Sequence, residues 1–122
     1  MDKQEVVLEL GVEGGGATVL RTPLASGGWQ FQVKGSSMDL DENDEEQWRS
    51  WRSGPVLSVG EALREVAGDG SWVFFHPLTV HPDYRAVVWE LAQAAAASLP
   101  EGRWPMWERR VGDWERVCRQ NS

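Results

Sequence analysis

A single cysteine, Cys118, leaves no second thiol for an internal disulfide. The bridged framework of a small secreted scaffold is therefore absent. Only two histidines occur, His76 and His81, so at most two imidazoles are available as bases or metal ligands. The longest run of small apolar residues, Ala94 to Ala97, falls far short of the ~20 residues a membrane-spanning helix needs, and no membrane partner is expected. Positive charge is also scarce. Lys and Arg number 12 against 19 Asp and Glu, a net charge of −7, and the cations are scattered. Nucleic-acid binding draws its strength from clustered cations that release counterions, so no nucleic-acid partner is expected either. The opening residues, Met1 to Glu5, are charged and carry no apolar signal core, which places the expected compartment in the cytoplasm.

What is present suits one domain spanning residues 1–122. A chain of this length can bury roughly 65% of its extended surface, enough for a core without metal or disulfide. Residues 5–12 alternate, with Val6, Leu8, Leu10 and Val12 on one side and Glu5, Val7 and Glu9 on the other, the pattern of a strand with one buried face. Glu13-Gly14-Gly15-Gly16 reads as a turn, 17–22 as a second strand, and 29–34 as a third, in which Trp29, Phe31 and Val33 alternate with polar residues. Residues 36–47 are densely acidic and read as a solvated segment leading into a short helix through Trp48 and Trp51, since acids favour helix N-termini. Ser58 and Glu61 form a capping-box pair for a helix that stops at Gly68.

Residues 72–84 hold both histidines, each followed by proline, and read as a strand or extended crossing that runs into a helix at Pro82. That helix is expected over 82–99, with Tyr84, Val87, Val88, Leu91, Ala95 and Leu99 on its apolar stripe. A last helix is expected over 105–119, with a seam of Trp104, Trp107, Val111, Trp114 and Cys118. Three indoles on one stripe carry roughly 450–750 Å². That exceeds the roughly 400 Å² an exposed patch tolerates, so the seam is either core or interface.

The candidate sites follow from these placements. The triple glycine lacks the Lys and Ser/Thr of a phosphate loop and runs into a strand, so a hairpin turn is expected and no nucleotide cofactor. Asp39, Asp41 and Asn43 match the first ligands of an EF-hand loop, but Asp44 replaces its glycine and Ser50 its bidentate glutamate. A looser divalent-cation site at Asp39, Asp41 and Glu45 is the remaining metal reading; the default is a solvated face with no metal. His76, His81 and Asp83 are the catalytic candidates, although strand residues five apart point to opposite faces. Cys118 reads as a small core residue. Trp48, Trp51, Trp104, Trp107 and Trp114 are the interface candidates. Trp29, Phe31 and Trp72 are candidates for lining a small-molecule pocket.

Four segments, Glu13-Gly14-Gly15, Gly28-Trp29-Gln30-Phe31, Ser58 to Leu63 and Pro77 to Tyr84, resemble the layout of a family of small bacterial proteins without assigned activity. The resemblance spans residues 5–98 and brings no catalytic residues with it. In size and charge the chain also resembles immunity proteins of bacterial toxin systems. The expected fold is α+β, an antiparallel sheet of three or four strands packed by two or three helices. The expected function is a non-enzymatic interaction module, homodimeric or bound to a protein partner. The alternative is a small enzyme or metal-assisted hydrolase built on His76, His81 and nearby carboxylates.

Overall fold

The period-two segments of the chain pair into a single antiparallel sheet in the computed structural model, which describes residues 4–12 and 14–119. Strands β1 (Glu5–Val12), β2 (Gly15–Pro23), β3 (Trp29–Leu40), β4 (Glu46–Arg52) and β5 (His76–Val80) lie in the order β4-β3-β2-β1-β5. The first four form a meander, and β5 returns antiparallel beside β1. The helices are α1 (Val59–Val66), α2 (Arg85–Ala97) and α3 (Trp104–Arg119). The class is α+β as expected, with five strands where the sequence suggested three or four. No helix among the described residues is long and apolar enough to cross a membrane.

The added strand is β4, where the acidic run had suggested a helix. Instead β3 continues to Leu40, and Asp41 organises a tight turn. Its Oδ1 accepts the backbone N–H groups of Asn43 at 2.8 Å and Glu45 at 2.9 Å. The residues after the turn alternate Gln47-Arg49-Trp51 against Trp48-Ser50-Arg52, which is strand periodicity. Gly15 and Gly16 likewise belong to β2 rather than to the turn, which retains Gly14 at φ 81°; Glu13 lies outside the described residues.

Leu8 and Leu10 are buried and Glu9 faces away as expected, but a register shift between Val6 and Leu8 overturns the expected facing of Val6 and Val7. Val7 and Leu8 are both fully buried, whereas Val6 is 40% exposed. Helix α2 keeps most of the expected stripe, with Val88 and Leu99 buried and Tyr84, Leu91 and Ala95 packed against the core. Val87 instead faces outward, and Ala92 and Ala96 are buried beside Val88. The helix proper starts at Arg85, after a 3-10 turn over Pro82–Tyr84. Helix α1 is capped as the sequence implied: Ser58 Oγ accepts the N–H of Glu61 at 3.1 Å, and the Glu61 carboxylate reaches back to the N–H of Leu57 at 2.9 Å.

The core lies on one side of the sheet. Leu8, Leu10, Ala17, Val19, Phe31 and Val33 pack there against Val59, Ala62 and Leu63 of α1, Val88 and Ala92 of α2, and Trp114 and Cys118 of α3. The alternate residues of the same strands, Glu9, Thr18, Gln32, Lys34 and Ser36, face the other way and are partly exposed. The helix residues of the core cluster lie on one face of the sheet; the second face is mostly polar and open, with Leu20 buried among its apolar residues.

Candidate functional site

The open face carries a groove of about 760 Å³, lined by Glu9, Thr18, Lys34, Ser36, Trp48, Ser50, Arg52 and Leu78 together with Gly11 and Gly16. Strand register explains its shape. Gly11 pairs with Gly16, and Gly16 with Ser36, so the middle of the sheet carries no side chain larger than that of Ser36. Leu78 flanks the floor from β5, where it lies against Gly11, and Trp48 stands at the other side on β4. A second row runs Glu9, Thr18, Lys34, Arg52 across four neighbouring strands. Trp48 is 63% exposed, and all seven residues of β4 are exposed.

The tryptophans separate into different roles. Trp51 covers Gly35 at the end of the core. Trp107 is half-buried against the core, and Trp104, in the first turn of α3, is exposed. Trp114 is fully buried, so it is a core residue and offers no surface. Its Nε1 donates to Val73 O at 2.7 Å, and its ring meets Trp72 edge-on. Trp29, Phe31 and Trp72, the candidates for a ligand pocket, each have a different neighbour. Trp29 stacks on Arg21, Phe31 meets Tyr84 edge-on, and Trp72 is occupied by Trp114.

The histidines sit at opposite ends of β5, with Cα atoms about 16 Å apart by strand rise. His76 is exposed, with Nδ1 2.6 Å from Arg110 Nη1 and 3.5 Å from Asp113 Oδ2. A guanidinium only donates, so that imidazole nitrogen is the acceptor. Arg110 also donates to Asp113 at 2.9 Å and to Phe74 O, tying α3 to the segment before β5. His81 caps the turn into α2, its Nδ1 accepting the N–H of Asp83 at 3.1 Å. Its Nε2 lies 3.9 Å from Glu5 Oε2. Neither ring lines the open-face groove.

Arg21 was not singled out by its sequence position. It is 8% exposed, with its guanidinium 3.8 Å from the Trp29 ring. Nη1 donates to Tyr84 Oη at 3.3 Å and Nη2 to Glu5 at 3.2 Å. The bond to Tyr84 is the largest influence holding Arg21 above its ordinary pKa. Its Nε is buried without a partner among the described residues. Its stacking rings come from β3 and the turn before α2, so only the folded chain reveals the cluster.

Of the metal candidates, Asp41 spends one carboxylate oxygen on two backbone amides, and Asp39 faces Arg49 at 3.6 Å. Glu45 contributes backbone groups to the same turn. Among the described residues, no group of three or more His, Cys, Asp or Glu is placed to hold a metal ion. Comparisons of the chain with protein-family models, with curated proteins and with solved structures give no match.

Proposed function

We propose that this chain is a non-enzymatic protein-interaction module of the cytoplasm that engages its partner through β4 and the open face of the sheet. The observation that supports this reading is the exposure of β4. An unpaired outer strand with a protruding indole is an aggregation liability unless something covers it, and large exposed aromatics are enriched where partners bind. A toxin-neutralising role of the immunity-protein kind would use such a face, as would a second copy of the chain.

Capture from a lysate of the native host tests the reading. Tagged wild-type chain is compared with a Trp48→Ala/Leu78→Ala variant and with Trp104→Ala. A protein retained by wild type and by Trp104→Ala, but released by the open-face variant, is the expected result. Identical retention by all three chains, or none above an unrelated acidic protein, counts against it.

A further inference from the structure

We infer that β4 accepts an extended acidic peptide segment, added antiparallel as a sixth strand, with a carboxylate beside Arg52, the outer member of the Lys34–Arg52 pair. This rests on the open face being the interaction surface and specifies the chemistry of what binds there.

Lys34 and Arg52 stand directly opposite one another across the β3–β4 pair. Like charges in that relation repel. Neither has an ion-pair partner among the described residues, in a chain whose acids outnumber its bases 19 to 12. In the next open-face row Ser36 faces Ser50. No protein hydrogen bond engages the side chains of Lys34, Ser36, Ser50 or Arg52 among the described residues. Two cations and two hydroxyls thus converge with their donors unspent.

The backbone of β4 agrees. The N–H of Asp41 bonds Glu45 O at 3.0 Å, and the N–H of Ser53 bonds Val33 O at 2.9 Å. These two bonds fix the alternation of the antiparallel ladder between them. Gln47, Arg49 and Trp51 bond inward to β3, so the N–H and C=O groups of Trp48, Ser50 and Arg52 point outward. The same three residues place their side chains on the open face. An added strand would therefore hydrogen-bond the residues whose side chains line the groove, as in strand-addition recognition.

Local charge favours an acid despite the net charge of −7. Fields are screened over about 8 Å at physiological ionic strength. Glu9 lies three strands from Arg52, roughly 14 Å, and Glu46 lies six residues from it, roughly 20 Å. A second copy fits less well. The two-fold register that sets Glu46 against Arg52 also sets Arg49 against Arg49, and it joins two chains of charge −7. Antiparallel addition then specifies the segment: an acidic residue opposite Arg52, followed four positions later by an apolar one opposite Trp48.

The test is fluorescence anisotropy of a labelled nine-residue peptide with Glu and Phe four positions apart in a Thr/Val background. Its control carries Lys in place of Glu. Wild type is expected to prefer the acidic peptide by roughly tenfold at physiological ionic strength. Lys34→Glu/Arg52→Glu, both partly or fully exposed, should abolish that preference. Ser50→Pro, which removes one outward N–H, should abolish binding of both peptides while near-ultraviolet circular dichroism shows a native fold. Equal binding of the two peptides, no binding, or a preference that survives charge reversal overturns the inference. So does light scattering that shows a dimer dissolved by charge reversal at Lys34 and Arg52. If peptides fail while Trp48→Ala/Leu78→Ala still releases a captured protein, the interaction reading stands and the acidic strand falls.

Discussion

The indole of Trp51 occupies the space above Gly35 on the neighbouring strand that any Cβ at position 35 would need. Gly35→Ala must therefore swing the ring off the sheet. Trp51 is 38% exposed and belongs to an edge strand, so it can move without dragging the core. Gly35→Ala and Trp51→Ala should each cost roughly 1–2 kcal/mol, the scale of a partly buried large side chain. Because both remove one contact, the double variant should cost little more than either single one. Urea midpoints for the four chains close this cycle, and additive losses would mean that Trp51 does not pack on Gly35.

Trp114 ties α3 to the rest of the core by packing and by one hydrogen bond, and the two can be separated. The ring is fully buried and meets Trp72 edge-on at 5.5 Å. Trp114→Ala should cost about 3–5 kcal/mol through the cavity it leaves. Trp114→Phe keeps most of the packing but strands the Val73 carbonyl, at about 1–3 kcal/mol. Denaturant unfolding followed by far-ultraviolet circular dichroism should rank wild type above Trp114→Phe above Trp114→Ala. A Trp114→Phe chain as stable as wild type would show that water satisfies Val73 equally well.

These contacts show which parts of the fold could be read from the chain. The α1 cap was legible because Ser58 and Glu61 interact within one helical turn. The α3 seam was legible because Trp107, Val111, Trp114 and Cys118 keep helical spacing. The β3–β4 hairpin was obscured. Trp48 and Trp51 are three apart, which imitates a helix, and the acids before them imitate a helix start. The burial of Val7 depends on the β1 register against β2, and no local pattern reports it. The Lys34–Arg52 pair was invisible for the same reason, since it exists only once β4 is recognised as a strand and aligned on β3. The sequence ranked Trp48 no higher than Trp51, Trp104, Trp107 or Trp114, and its 63% exposure appears only with the fold.

Acid should loosen the β3–β4 hairpin through Asp41. Backbone hydrogen bonds from Glu45 and then Asn43, with a weaker one from the Gln47 side chain, hold its carboxyl below the ordinary value of 3.8. A carboxylate whose folded pKa is depressed adds stability that is complete above its unfolded pKa and lost as pH falls through the folded one. Wild type should therefore show an added loss of stability below about pH 4. Asp41→Asn should be less stable at pH 7 and should have a flatter acid limb. Urea midpoints from pH 7 to pH 2 measure both, and parallel pH profiles for the two chains would show that Asp41 does not act through its charge.

Cys118 lies one turn after Trp114 on the same face of α3, is 6% exposed, and has its thiol pushed up to about 11 by burial. At pH 8 only about one thiol in a thousand would ionise in the folded chain, and the thiolate is the reactive form. Labelling by a thiol reagent at pH 8 should thus require α3 to come away from the core. Its rate then reports the population of that opening rather than the chemistry of the thiol. Trp114→Ala should speed labelling by the factor that matches its loss of stability if opening is global. A smaller acceleration would mean that the end of α3 opens on its own. Rapid stoichiometric labelling of the wild-type chain in native buffer would instead show that the α3 seam is not docked.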